Sequence, residues 1–151
     1  MAITTTTPAT NSRFRYGNPS VECNGAELHK QCRQLATVLT ITGAIDEVNV
    51  GEVVAQAKGC IIAEKPFILD LSGVTSFAAP GIALLDAIDE ACYAAGDEWA
   101  LTVSQSVSRT MRLCGVDEVF PAMASVPEAL QHFSDVAGER RRILPILTKS
   151  A

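Results

Sequence analysis

Five carboxylates in this chain stand where acid–base chemistry would be sought: Asp46, Asp70, Asp86, Asp89 and Glu90. Asp86, Asp89 and Glu90 are spaced to share the outer face of an amphipathic helix, so they read as a solvated surface. Asp70 ends an apolar run, and a strand-end aspartate characteristically accepts bonds from the backbone N–H groups of the next turn. Nucleophilic catalysis finds no support. Ser72 lacks a GxSxG setting, and neither His29 nor His132 neighbours a nucleophile in sequence. No GxGxxG and no glycine-rich loop ending in Lys-Ser/Thr occurs, so no cofactor is expected. Cys23, Cys32, Cys60, Cys92 and Cys114 are odd in number, far apart and without a CxxC pair, which supplies neither a zinc site nor a disulfide framework. Cys60, Cys92 and Cys114 fall in predicted helices and are expected to be small buried apolar groups. The chain is read as not an enzyme, and as cytoplasmic.

The stretch DLSGVTSFAAPG (70–81) is the informative one. A strand runs out, a turn follows, and a helix is predicted to start at Pro80, where a missing N–H costs nothing. A helix N-terminus carries free N–H groups and a partial positive charge, so it responds strongly to an added phosphate. The residues offered there are Ala78, Ala79 and Pro80, none with a polar side-chain atom. The modifiable position is chemically blank.

The elements that must position this turn alternate. AELHKQC (26–32) and LATVLTITG (35–43) read as strands joined tightly enough for a hairpin. Asp46 is placed to cap a helix with the stripe Val50, Val53, Val54, Ala57 and Ile61, ending near Glu64. PFILDL (66–71) suits a central strand, and the next helix runs from Pro80 to Ala95 with Gly96 as its C-terminal cap. EWALTV (98–103) is a strand, and Ser106 is expected to cap a helix closed by Gly115. VFPAM (119–123) reads as a short edge strand, because Pro121 is tolerated only there. Ser125 and Glu128 form a capping-box pattern for a last helix carrying Val126, Leu130, Phe133 and Ala137. The order ββαβαβα(β)α predicts an α/β fold with a mixed sheet of four to five strands and about four α-helices packed on it.

Residues 1–24, Thr-rich and broken by prolines, read as a disordered N-terminal tail without a signal-peptide core, ahead of a domain over 25–137. Residues 138–151 form a basic-apolar C-terminal tail, RRRILPILTKSA from Arg140, interrupted by Pro145 and expected to pack on the domain or on a second copy in a homodimer. No run approaches the ~18 apolar residues needed to span a bilayer, so no integral membrane segment is expected. A formal net charge of −5 argues against nucleic acid, which selects a basic face.

Three blocks in order, TITGAID (40–46), ILDLSGVTSFAAPGIALL (68–85) and LCGVDEVFPAMASVPEAL (113–130), give the chain its family likeness. It resembles the STAS family, the sulfate-transporter and anti-sigma-factor-antagonist domains, over roughly residues 34–134. The resemblance implies a STAS-like mixed sheet and a partner that is both anti-sigma factor and serine-kinase-like ATPase. In family antagonists that partner phosphorylates the serine of Asp-Ser-x-Gly and loses affinity for the modified form. Gly81 keeps the family glycine, Ala78 stands where the aspartate would be, Ala79 stands at the phosphoacceptor, and Pro80 fills the variable place. Ser76, three residues upstream of Ala79, is the nearest serine that could substitute. By this likeness the partner-binding surface is Phe77, Ala78, Ala79, Pro80 and Gly81, with Asp46, Val48 and Asn49 from the neighbouring loop. The alternative it leaves is a scaffold or accessory subunit of a lipid-transport complex; a small-ligand sensor lacks a phosphate-cradling loop.

Overall fold

The dipeptide Asn24-Gly25 opens the sheet. Both residues have positive φ, 43° and 106°, the backbone of a two-residue turn whose twist matches its flanking strands. It joins β1 (Ser20–Cys23) to β2 (Ala26–Cys32) as an antiparallel pair. The computed structural model describes residues 20–150, with the backbone alone for 140–150. The folded sheet thus begins at Ser20, ahead of the boundary at 25 set from composition, because the Asn-Gly turn lets Val21 and Cys23 bury their side chains. The disorder expected before that point concerns residues outside those described.

From β2 the chain returns antiparallel as β3 (Thr37–Ile45), crosses through α1 (Val50–Lys58), and pairs parallel as β4 (Phe67–Phe77). A 3-10 turn (Ala79–Gly81) leads into α2 (Ile82–Ala95), then β5 (Trp99–Val103), α3 (Gln105–Leu113) and α4 (Val126–Ser150). The order across the sheet is β1-β2-β3-β4-β5, and α1 packs against α2. The expected α/β fold is present, with five strands and four α-helices among the described residues.

Alternation decides the two faces. Leu39 and Ile41, Phe67, Leu69 and Leu71, and Leu101 point to the larger core, shared with Leu84, Leu85, Ile88 and Cys92 of α2 and Val107 and Met111 of α3. Val38, Ile68 and Ala100 point to the other face, where Ala129 and Phe133 of α4 cover them. Register shifts between Thr40 and Thr42 and between Gly43 and Ala44 reset the phase of the β3–β4 pair, so both Val74 and Phe77 still reach the larger core.

Several boundaries differ from the sequence expectation. β4 runs through the predicted turn to Phe77, α1 ends at Lys58 and not near Glu64, and α-helical geometry begins at Ile82 after the 3-10 turn. Ser104, not Ser106, caps α3, its side chain accepting from Val107 N. The 119–123 stretch makes one bridge, Ala122 to Leu101, because Pro121 cannot donate along a ladder. Ser125 and Glu128 do cap α4, Ser125 Oγ accepting from Glu128 N at 3.2 Å and Glu128 Oε1 from Ala124 N at 2.9 Å. The α4 backbone continues as one helix through the residues assigned to the tail.

All five cysteines are free. Cys23, Cys60 and Cys92 are buried, whereas Cys114 is exposed, a correction that follows from its place just past the end of α3. Burial pushes the Cys60 thiol up to about 11 and the Cys92 thiol up to about 12, with nearby Asp97 and Asp89 adding to the latter. A folded-state pKa raised above the unfolded value contributes stability below the unfolded pKa that is lost as pH rises through the folded one. Stability is therefore expected to fall from about pH 9 upward, by on the order of 1 kcal/mol per thiol at pH 10 and less where solvent screens the thiolate. Denaturant midpoints at pH 7, 9 and 10 test this; Cys92→Ala flattens the slope, and an equal slope in that variant refutes the cause.

Candidate functional site

Ile45 and Phe77 are the last paired residues of the β3–β4 ladder, so the loops that follow them leave the sheet side by side. Ala78 N donates to Ile45 O at 3.0 Å, which fixes the second loop against the first. Everything at this end of the molecule builds from that juncture.

In the β3–α1 loop, Asp46 Oδ1 accepts from Val48 N at 2.9 Å and Asn49 N at 3.2 Å, so Asp46 braces the loop and does not cap the helix as expected; the residue at the N-cap of α1 is Asn49, without a side-chain cap bond. The tight turn pushes the Val48 side chain outward, 75% exposed. Asn49 points the other way and is fully buried. Its Nδ2 donates to Cys23 O and Asn24 O, both at 3.1 Å, and to Ala44 O at 2.8 Å, while its Oδ1 accepts from Asp46 N at 3.0 Å. One amide group thus ties the β1–β2 turn, the end of β3 and the loop together. Asn49, expected as a contact residue, is a buried staple.

Phe77 is likewise not on the surface. Its ring is buried against Gly81, and this pairing explains the glycine: a Cβ there would lie 2.7 Å from Cε1 and 2.8 Å from Cζ of the ring. Gly81 has φ −64°, an ordinary helical value, so space and not backbone freedom demands it. Gly81→Ala is expected to cost ~1–3 kcal/mol through overpacking. The sign is diagnostic, since with free space alanine would stabilise the helix start. A raised denaturant midpoint would overturn the packing explanation.

With Phe77, Gly81 and Asn49 inside, the predicted site residues that face outward are Val48, Ala79 and Pro80, with Ala78 and Asp46 half-buried and Glu47 exposed beside Val48. Ala78 is extended, φ −83° and ψ 161°, and its carbonyl accepts from Gly81 N at 2.8 Å. From the far side α3 holds the end of β4. Ser106 Oγ donates to Thr75 O at 2.8 Å and Thr110 Oγ1 to Phe77 O at 2.6 Å. Ser106 therefore serves as a clamp between elements. Ser76 is exposed but sits on β4 opposite Ala44, inside the ladder and away from the start of α2.

The carboxylate singled out on β4 is occupied elsewhere. Asp70 Oδ1 accepts from Ser72 N at 3.0 Å, Ser72 Oγ at 2.6 Å and Thr102 Oγ1 at 2.6 Å, and Oδ2 from Thr40 Oγ1 at 3.5 Å. It belongs to a row of polar residues in register across all five strands: Ser20, His29, Thr40, Asp70 and Thr102. Ser20 Oγ and His29 Nδ1 share a bond of 3.0 Å at its open end. A carboxylate accepting this many donors is fixed in place, which suits cross-strand support. Among the described residues no group of three or more His, Cys, Asp or Glu is placed to hold a metal ion, and no helix is long and apolar enough to cross a membrane.

A STAS domain family model matches residues 27–129. A relative named Osmosensory protein A, from Mycobacterium tuberculosis (strain ATCC 25618 / H37Rv), is 37% identical over 158 aligned positions, covering 99% of this chain and 100% of the relative. The crystal structure of an anti-sigma factor antagonist from Mycobacterium paratuberculosis aligns with a TM-score of 0.55 at 20% identity, over 74% of this chain and 96% of that one. An anti-sigma-factor antagonist (STAS) domain protein from Planctomyces limnophilus aligns at 0.61 and 21% identity, over 71% and 97%. At these identities the solved structures establish likeness of fold.

Proposed function

The chain belongs to the STAS domain family, and from that premise we propose that it is a non-enzymatic regulatory module of the anti-sigma-factor-antagonist kind, not switched by phosphorylation at the start of α2. The observation that carries the proposal is the surface where Val48, Ala79 and Pro80 stand exposed on neighbouring loops, Ala79 being the residue that the family likeness sets at the phosphoacceptor position. A methyl group accepts no phosphate, so the roughly −1.5 to −2 charges that would repel or reorganise a partner cannot be added there. The partner is an anti-sigma factor, a serine-kinase-like ATPase in its chemistry, met in the cytoplasm. Asp46, Val48, Ala78, Ala79 and Pro80 provide the contacts, while Asn49, Phe77 and Gly81 hold them in place. The likeness to the mycobacterial Osmosensory protein A supports an osmotic stimulus as the input to this regulation.

Affinity capture from the source lysate, wild type beside Ala79→Asp and read by mass spectrometry, tests the proposal. Capture of an anti-sigma factor by wild type alone is expected. Capture of transporter subunits moves the protein to an accessory role, and equal capture by both baits removes the surface from consideration.

A further inference from the structure

β3, β4 and β5 are parallel neighbours, so the helices that connect them, α1 and α2, run side by side in the same direction and pack together. Toward their C-terminal ends a groove of about 530 Å³ opens between them, which the regulatory reading does not use. Its two walls differ in size and in charge. Lys58 and Ile61 stand on the α1 side, and Ala87, Glu90, Ala91 and Ala94 on the α2 side. One wall is bulky and basic, the other small and acidic. Two large apolar side chains stand out beside it: Ile62 is 42% exposed, and Tyr93, one turn past Glu90, is 87% exposed.

We propose that this groove is the interface of a homodimer, closed by the same groove of a second copy. A two-fold interface has to be complementary to itself, and walls of opposite size and charge meet that condition. A two-fold axis lying along the groove sets α1 of each copy over α2 of the other. Ile61 then packs on the alanine wall of the second copy, and the exposed Lys58 faces its exposed Glu90. Symmetry makes that ion pair twice. The arrangement with α2 over α2 is disfavoured, because it sets the exposed Asp86, Asp89 and Glu90 of one copy against their like. Tyr93 falls at the rim, where the incoming α1 covers its ring, the kind of aromatic anchor on which interface energy concentrates. This inference goes beyond the proposed function and does not rest on it.

Sedimentation equilibrium on the full chain over a wide range of concentration tests it. Wild type is expected to show a reversible monomer–dimer equilibrium. Lys58→Glu and Glu90→Lys, both at exposed positions that spare the fold, should each weaken dimerisation roughly ten- to a hundredfold, since each sets like charges at both pairs. The exchange of charges in Lys58→Glu/Glu90→Lys should return it to within about fivefold of wild type. Ala94→Arg, exposed on the small wall, should weaken it at least about tenfold by obstructing Ile61. A wild type that stays monomeric at every concentration overturns the proposal. So does a double variant as weak as the single ones, which removes the Lys58–Glu90 pairing. A dimer left intact by the single reversals and by Ala94→Arg is built on another face, such as the basic-apolar tail, and overturns it as well.

Discussion

Asn49→Ala lowers the unfolding free energy by about 3–5 kcal/mol, a large share of the stability of a domain this size. The side chain sits fully buried where three chain segments meet, and its Nδ2 serves carbonyls of Cys23, Asn24 and Ala44 at once. Truncation leaves those oxygens and Asp46 N without their partner, each at a cost of ~1–3 kcal/mol that water entering from the Asn24 side offsets only in part. A second consequence separates this from a simple loss of packing. Without the staple, the Asp46–Asn49 turn loses its link to the sheet, so Val48 is no longer held outward and partner binding weakens along with stability. Guanidinium titration gives the first number and a binding titration the second. Val48→Ala, an exposed position, is the stability control, expected within ~0.5 kcal/mol of wild type. A cost below ~1 kcal/mol for Asn49→Ala would mean that water replaces the amide freely and that the staple has been overvalued.

The staple also shows where sequence reading stops. Asp46 and Val48 suggest a surface place for Asn49 between them and α1, and nothing in a single sequence reveals that adjacent side chains in a tight turn point in opposite directions. Phe77 is a similar case. The phase of β4, read from Phe67 to Leu71, would turn an odd-numbered Phe77 inward, but Val74 breaks that phase. Only the bulges opposite Thr42 and Ala44 reconcile the two. Those bulges need the partner strand, a non-local fact. In contrast, Asn24-Gly25 is legible and easily overlooked: a two-residue turn between Val21-Cys23 and Ala26-Leu28 is a strong local hairpin signal, hidden here by a polar segment just upstream. Helix starts follow from the sequence where capping chemistry is unambiguous, as at Ser125 and Glu128. They shift where two serines compete, since Ser104 and Ser106 differ only in which one the β5 register leaves at the helix mouth.

Ala79→Asp moves binding and stability in opposite directions, and that opposition is what makes it the sharpest test of the proposed function. Ala79 is exposed at the first turn leading into α2, where no side chain packs on the methyl group strongly enough to bury it. A carboxylate at a helix N-terminus meets free N–H groups and a favourable dipole, so stability stays level or rises by ~0.3–1 kcal/mol. In a docked complex the same carboxylate is desolvated against a surface suited to an alanine, at a cost of ~2–3 kcal/mol, or roughly a 30- to 150-fold weaker Kd for the proposed partner. Ala79→Ser completes the comparison. A hydroxyl should leave affinity within about threefold of wild type in the absence of nucleotide. With ATP and a kinase-active partner it should then acquire phosphate and lose affinity at least as far as Ala79→Asp, because phosphate carries more charge than a carboxylate. Isothermal titration with and without ATP reads both variants. If Ala79→Asp binds like wild type, the AAPG turn is only a helix start and partner contact lies elsewhere on the domain. If Ala79→Asp fails to bind while Ala79→Ser stays unmodified, the surface is right but the partner no longer carries the kinase chemistry, and Ala79 then matches a partner that has no need of a serine there.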